Sequence, residues 1–503
     1  MTEPEQGVPR WLRALGALSV GVLLVLAFPP YGIWPLSVLA VTLLVFVVAN
    51  VTVRLSLVLG LAAGLAFFLG LMPWLRVIGI DAWIALSLLC ASFFMLLTVG
   101  MTLLRVLRWW PFWIALWWVL VEALRERVPF GGFPWGRLAF ANSESTFTGW
   151  AALGGAPLVT FFVALCGSLL AAALVARTNE RAKAGYLVGL ALVVALAAML
   201  IPRPTDGTTV TAAVVQGNVP RTGMDAFGQR EAVLRGHVDA TLGLAEEVSA
   251  GSIAQPDLVI WPENASDIDP VLDPDAYDLI DGAVRAVGAP TLVGIVTETD
   301  DGTELLNSGV AWSPETGPGE TYVKRHPVPF GEYIPFRSQL APLISRLDRI
   351  PRDFARGSEP GVLALGPVVV GDVICFEVAF NDIVRDVVDG GAEVITVQTN
   401  NATYGGTGQV EQQLALSQLR AVEHGRSVLV AATSGISAII EPDGRIVERT
   451  EEFTQDVLVA DVPARTELTL ATRVGAWPEL LMSLIAILAL TQAIRIRRRS
   501  SSG

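Results

Sequence analysis

Cys375, in GDVICFEVAF, is the only cysteine between residues 205 and 462, and Lys324, in ETYVKRHPVPFGEY, is the only lysine there. Of 35 basic side chains in the whole chain, two are lysines, Lys183 and Lys324. Each could be incidental. A lone cysteine can serve as a small buried hydrophobe, and a lone lysine can be a chance survivor in an arginine-rich chain. Together with Glu263, in DLVIWPEN, they permit a specific chemistry. A thiol with a pKa near its ordinary value of about 8.5 is mostly protonated at neutral pH. To act as a nucleophile it needs a base for its proton and a cation to favour the thiolate. Glutamate supplies the first. A compact ammonium supplies the second, and can also steady an oxyanion beside the backbone N–H of Phe376.

Other chemistries find little support. Neither lysine stands between Gly and Ser or Thr, so there is no phosphate-binding loop of the P-loop type. The three histidines, His237, His326 and His424, lack zinc-ligand spacing, and no GxSxG elbow occurs. His326 could serve Cys375 as a base, but reads more simply as a loop residue. No metal or other cofactor is implied.

Such residues have to be held by a scaffold. Between 205 and 462, apolar or β-branched runs (VTAAVVQGN, DLVIWPEN, TLVGIVTET, VVVGDVICFE, AEVITVQTNN, RSVLVAATSG) alternate with helical patterns. SAIIEPDGRIVER carries a Pro-Asp-Gly hairpin turn. These runs predict an α/β layered domain. Several end in polar residues, among them Glu263, Cys375 and Asn400, and the carboxyl ends of strands are where α/β sheets gather ligands.

The rest of the chain is apolar: 52% of all residues are hydrophobic and the mean hydropathy is +0.54. Eight stretches could span a bilayer, at 11–28, 33–49, 54–72, 82–104, 111–124, 155–176, 185–201 and 475–495. The organisation expected is a membrane domain over 1–204 with about seven spans, a catalytic domain over 205–462, and a final span with a basic tail over 463–503. Arginines in alternate loops and the tail place 205–462 outside the cytoplasm. That region holds 39 of the 48 Asp and Glu but only 16 of the 35 Lys and Arg, which argues against nucleic acid as a partner. Apart from Glu122, the charges of the predicted spans sit at their ends. The aromatic runs WWPFWIALWW and PFGGFPWGRLAF read as an interfacial belt, the second alternatively as a lipid access route. GLAAG, from Gly60 to Gly64, is a small-residue spacing that allows close helix packing.

WPEN, the lysine of YVKRHPVPFGEY and GDVICFE resemble the Glu-Lys-Cys motifs of the nitrilase, or carbon-nitrogen hydrolase, superfamily. FPPYGIWPL, GFPWG, VVQGNVP, VPFGEYIPF and the flanking spans resemble, more narrowly, the bacterial apolipoprotein N-acyltransferases. The resemblance implies a multi-pass α-helical membrane bundle joined to an α/β, nitrilase-like αββα sandwich outside the cytoplasm. It implies Glu263 as general base, Lys324 as stabiliser of thiolate and oxyanion, and Cys375 as nucleophile, with Glu332 supporting the lysine. Glu377 follows the nucleophile and is either functional or a structural carboxylate in a salt bridge or at a helix N-terminus. The reaction implied is ping-pong in the plasma membrane. Cys375 takes an acyl chain from a phospholipid as a thioester, and the α-amino group of a diacylglyceryl-cysteine at an apolipoprotein N-terminus receives it. There are departures: Phe376 stands where tyrosine is common, Thr403 where tryptophan is common, and a tryptophan usual after VVQGNVP is missing. A membrane-anchored amidase acting on small amides is the alternative, and a non-catalytic scaffold or transporter a more distant one. The segment IPFRSQLAPLISRLDRI (334–350), apolar with arginines, is either a lid at the membrane surface or an ordinary surface helix.

Overall fold

The computed structural model describes residues 8–176, 180–219, 230–340 and 350–501, with 342, 344, 347 and 348 between them. The chain divides into two compact units, one of residues 1–202 with 474–503, the other of 203–473.

Among the described residues of the first unit, six helices are long and apolar enough to cross a bilayer: Arg10–Ala27, Val53–Leu71, Ile80–Leu104, Thr148–Leu174, Arg181–Leu200 and Trp477–Arg499. The other two expected spans are shorter. Pro35–Val47 has 13 residues and Trp110–Arg125 has 16. At 1.5 Å per residue they reach about 20 and 24 Å, less than the ~30 Å of a hydrocarbon core. Left-handed residues bound them, Asn50 (φ 55°) after the first and Trp109 (φ 63°) before the second. Close packing at GLAAG is realised. A Cβ on Gly60 would lie 2.3 Å from Thr98 Oγ1, and one on Gly64 2.8 Å from Ala91 Cα, so Val53–Leu71 lies against Ile80–Leu104 almost backbone to backbone.

For the run PFGGFPWGRLAF (129–140), the aromatic-belt reading fails beyond Phe130, which is exposed. Trp135, Phe140 and Phe147 are buried inside the unit, and Arg137 between them is buried too. Arg137 forms ion pairs with Glu122 (3.3 Å), Glu126 (2.7 Å) and Glu479. Glu122 also accepts from Thr160 Oγ1 (2.8 Å), Trp118 Nε1 (3.0 Å) and Leu138 N–H (2.8 Å). Its role is thus structural satisfaction of a buried cation. Glu479, on the final helix, carries Arg137 and Arg127 at once. Glu479→Ala takes one of three carboxylates from Arg137 and is expected to cost about 1.5–3 kcal/mol, read as a lower melting temperature of the detergent-solubilised protein.

The second unit holds twelve strands in chain order. They are β1 (Thr208–Gln216), β2 (Leu258–Ile260), β3 (Thr291–Glu298), β4 (Leu305–Ser313), β5 (Gly317–Val323), β6 (Val362–Leu365), β7 (Val368–Ile374), β8 (Val394–Thr399), β9 (Ser427–Ala432), β10 (Ala438–Ile440), β11 (Ile446–Arg449) and β12 (Asp456–Ala464). They form two six-stranded sheets, ordered β12-β1-β2-β3-β4-β5 and β11-β10-β9-β8-β7-β6. In each sheet, three parallel strands (β1-β2-β3 and β7-β8-β9) are flanked by antiparallel ones. The inner faces pack on each other through Val214, Ile260 and Leu292 from one sheet and Val370, Ile374 and Leu429 from the other. Helices Arg230–Ser249 and Pro274–Val287 cover the outside of the first sheet. Asn381–Asp389 and Gly408–His424 belong to the second half of this αββα sandwich. Local signals set the helix ends. Asp273 caps Ala276 N–H, Pro274 opens the helix and Gly288 closes it at φ 67°.

β10 and β11 form the hairpin read from the sequence. Four strands, β4, β5, β6 and β12, have no counterpart among the runs picked out there. In 334–350 the described residues include a four-residue helix, Arg337–Leu340. Residues 341, 343, 345, 346 and 349 of that segment lie outside the described residues, as do 220–229, where the missing tryptophan was noted.

Candidate active site

Glu263, Lys324 and Cys375 each follow a strand, β2, β5 and β7 respectively. Glu263 and Lys324 are buried, and Cys375 is partly exposed. Lys324 Nζ donates to Glu263 Oε1 and to Glu332 Oε1, both at 2.9 Å. Asn307 Nδ2, from β4, donates to the same two oxygens at 2.8 Å each. The remaining oxygens are occupied as well: Glu263 Oε2 accepts Asn400 N–H at 2.8 Å and Glu332 Oε2 accepts Val328 N–H at 2.7 Å. Two carboxylates thus share one ammonium and one amide, leaving the cluster one negative charge in excess.

That excess adds to the effect of burial on the thiol. Burial, then the charge of Glu263, pushes Cys375 up to about 12, while Lys324 and a hydrogen bond from Thr399 pull the other way. At rest Cys375 is a neutral thiol. Burial alone would lower Lys324, but Glu263 and Glu332 hold it well above its usual value, so it stays a cation.

The backbone turns sharply at the nucleophile. Cys375 has φ 56°, a left-handed conformation costly for a residue with a Cβ, and opens a 3-10 helix, Cys375–Ala379. Phe376 N–H lies in that first turn. Asn264, next to Glu263, is left-handed too (φ 54°). Arg420 holds the far end of the 3-10 helix by donating to Val378 O and Ala379 O, both at 2.8 Å.

Glu377 is fully buried and belongs to neither a salt bridge nor a reacting cluster. Its carboxylate accepts from Tyr322 Oη (2.8 Å), Arg325 N–H (2.7 Å), His326 N–H (2.9 Å) and Ile374 N–H (2.8 Å). It therefore joins the turn after Lys324 to the strand before Cys375. Burial raises its pKa against those backbone hydrogen bonds. His326 packs its ring on Phe380, centroids 3.9 Å apart, and burial lowers it to about 4. Phe376 packs edge-on against Phe380.

Five residues here escaped the sequence reading of the site: Asn307, Asn400 as a donor to Glu263, Thr399, Gln413 and Tyr404. Thr399 Oγ1 donates to Cys375 Sγ at 3.3 Å and accepts from Gln413 Nε2 at 3.0 Å, an arrangement that directs its proton at sulfur. Tyr404 follows the Asn400–Asn401 pair, and its phenol is raised by burial and by the charges of Cys375, Glu332 and Glu263. A hydroxyl thus stands near the thiol although Phe376 offers none. Thr399→Val removes a hydrogen bond that favours the thiolate. The thiol pKa should rise further, slowing alkylation of Cys375 by iodoacetamide about fivefold at fixed pH. An unchanged rate would mean that Thr399 does not donate to sulfur.

Family models add a second line of observation. One described as the apolipoprotein N-acyltransferase N-terminal domain matches residues 20–169, and one described as carbon-nitrogen hydrolase matches 211–469. An apolipoprotein N-acyltransferase of Mycolicibacterium smegmatis is 39% identical, over 97% of this chain and 87% of the relative. One of Azotobacter vinelandii is 31% identical, over 98% of this chain and 96% of the relative. Among solved structures, an amidase from Nesterenkonia sp. AN1 with the acetamide moiety of fluoroacetamide on its active-site cysteine is 18% identical. It aligns with 56% of this chain and 97% of its own, at a TM-score of 0.40.

Proposed function

Since the chain belongs to the apolipoprotein N-acyltransferases, within the carbon-nitrogen hydrolases, we propose that it carries an acyl chain from a membrane phospholipid to the α-amino group of a diacylglyceryl-cysteine, through a thioester on Cys375. The observation that carries this reading is the shared Lys324 ammonium, fixed between Glu263 and Glu332 beside the strand end that bears the thiol. Because the cluster already has excess negative charge, a free thiolate is disfavoured. Passing the thiol proton to Glu263 as sulfur attacks leaves the cluster's total charge unchanged.

The steps then balance. Sulfur attacks the phospholipid ester carbonyl, and its proton moves to Glu263. Lys324 and Phe376 N–H receive the oxyanion. The C–O bond breaks, Glu263 returns the proton to the leaving oxygen, and a lysophospholipid departs. The neutral α-amine next attacks the thioester and its proton passes to Glu263. The C–S bond breaks, and the proton goes back to sulfur, regenerating the thiol. Ester, thioester and amide follow in order, and no nucleotide is consumed. Loop charges support a bacterial plasma membrane with the catalytic domain on its extracytoplasmic side.

Intact mass of the purified protein after incubation with phospholipid tests the scheme. The expected result is an acyl-sized gain that hydroxylamine removes and that a diacylglyceryl-cysteine peptide discharges as its N-acyl product. A gain lost to water but not to the peptide, or turnover of small amides without lipid, would replace the scheme with an amidase.

A further inference from the structure

Among the buried oxygens of the catalytic unit that lack a hydrogen-bond partner in the described residues are Oδ2 of Asp372 and Oε1 of Gln398. Both residues are 0% exposed. The atoms are neighbours: a Cβ built on Gly309 of β4 would lie 2.2 Å from Asp372 Oδ2 and 2.6 Å from Gln398 Oε1. The oxygens are no farther apart than those two lengths end to end.

Turning the Gln398 amide does not help. Its Nε2 donates to Trp261 O at 2.7 Å, and a carbonyl can only accept, so Oε1 is left on the Asp372 side. Thr396 Oγ1 donates its one proton to the other carboxyl oxygen, Asp372 Oδ1, at 2.8 Å. The Ser308 hydroxyl points to the opposite face of β4 from Gly309 by strand alternation. Two buried acceptors are therefore neighbours without a protein donor between them, and each unsatisfied group costs about 1–3 kcal/mol. One proton satisfies both.

We propose that Asp372 is kept as the neutral carboxylic acid and donates its O–H to Gln398, as a positioning residue for the catalytic pair. The surroundings agree. Burial raises the acid well above its ordinary range, Thr396 works the other way, and the negative charges of Glu377 and Glu263 raise it further. The remaining titratable neighbour, the Tyr322 phenol, is itself raised and neutral. Asp372 lies on β7 three residues before Cys375, Gln398 pairs with Ile374 across β7 and β8, and Trp261 lies two residues before Glu263. The acid, the amide and the carbonyl thus form a link from the nucleophile's strand in one sheet to the base's loop in the other. Its consequence for rate rests on the roles proposed for Glu263 and Cys375; the protonation does not.

The test uses the full-length protein in detergent. An infrared difference spectrum, wild type minus Asp372→Asn at neutral pH, is expected to contain the C=O band of a protonated carboxylic acid. A carboxylate band in its place overturns the proposal, whatever the enzyme's reaction. Asp372→Asn can donate to Gln398 and accept from Thr396, so its kcat should stay within about threefold of wild type, whereas Asp372→Leu should lose about ten- to a hundredfold in kcat with KM little changed. A folded Asp372→Asn that loses as much as Asp372→Leu, or a fully active Asp372→Leu, would also refute it. Should Asp372→Leu fail to fold, the infrared band and the rescue by asparagine still decide.

Discussion

Cys375→Ala is expected to form no acyl adduct and to lose acyl transfer by at least about 10⁴-fold, the scale at which removing a covalent nucleophile acts. Thr399, the nearest hydroxyl, cannot substitute, because its lone pairs face Gln413 and its proton faces sulfur. The fold should survive, since Cys375 is partly exposed and the surrounding hydrogen bonds belong to Glu377, Arg420 and Lys324. The backbone supplies an internal control. Alanine must adopt the φ of 56° at Cys375, and glycine does so without steric cost. Relative to alanine, Cys375→Gly should therefore recover about 1 kcal/mol of stability, visible as a higher melting temperature with equal loss of activity. An alanine variant that still accumulates an acyl adduct would move the nucleophile elsewhere.

Lys324→Met should be nearly as damaging, for a different reason. The variant loses the charge meant for the oxyanion, costing about 10²–10³-fold in kcat, and leaves two buried carboxylates facing each other with only Asn307 between them. Stranding a buried charge costs about 3–5 kcal/mol, so the melting temperature should fall along with activity. The two losses can be separated. Adding Glu332→Gln to Lys324→Met removes one of the stranded charges and should restore much of the stability but none of the rate. Lys324→Arg should not rescue either quantity, since a planar guanidinium does not fit a pocket closed around a point charge by oxygens at 2.9 Å on both sides. Full activity in Lys324→Arg would contradict the geometry described.

The strands that carry Glu263 and Cys375 were legible because they are buried on both faces and read as unbroken β-branched runs. β4 was not, and the reason is functional. Asn307, Ser308 and Gly309 interrupt its apolar pattern, one to clamp the two carboxylates and one to make room for Asp372 and Gln398. β5, GPGETYV, has a mostly exposed face and two glycines, so little marks it before Lys324 is reached. Glu263, Lys324 and Cys375 announced themselves by rarity or by motif. Their partners are common residue types, Asn, Thr and Gln, which only three-dimensional proximity makes distinctive. In the membrane unit, hydropathy located the apolar helices but could not show that two of them, Pro35–Val47 and Trp110–Arg125, are shorter than the rest. Nor could it show that the aromatic stretch around Arg137 is interior, because an ion-pair network reaching from residue 122 to residue 479 leaves no local pattern.

The pairing of β1 with β12 runs the full nine residues, Thr208 opposite Ala464 and Gln216 opposite Asp456. During synthesis, β1 emerges some 240 residues before its partner, a delay of roughly ten to fifty seconds at ordinary translation rates. Over that interval one edge of the first sheet is an unpaired, apolar strand, the kind that recruits foreign strands. β12 is thus the latch of the catalytic domain. A chain that stalls before residue 456 has every proposed catalytic residue in place in its sequence, but an open sheet edge. Such nascent chains should depend on chaperone protection far more than the finished protein does.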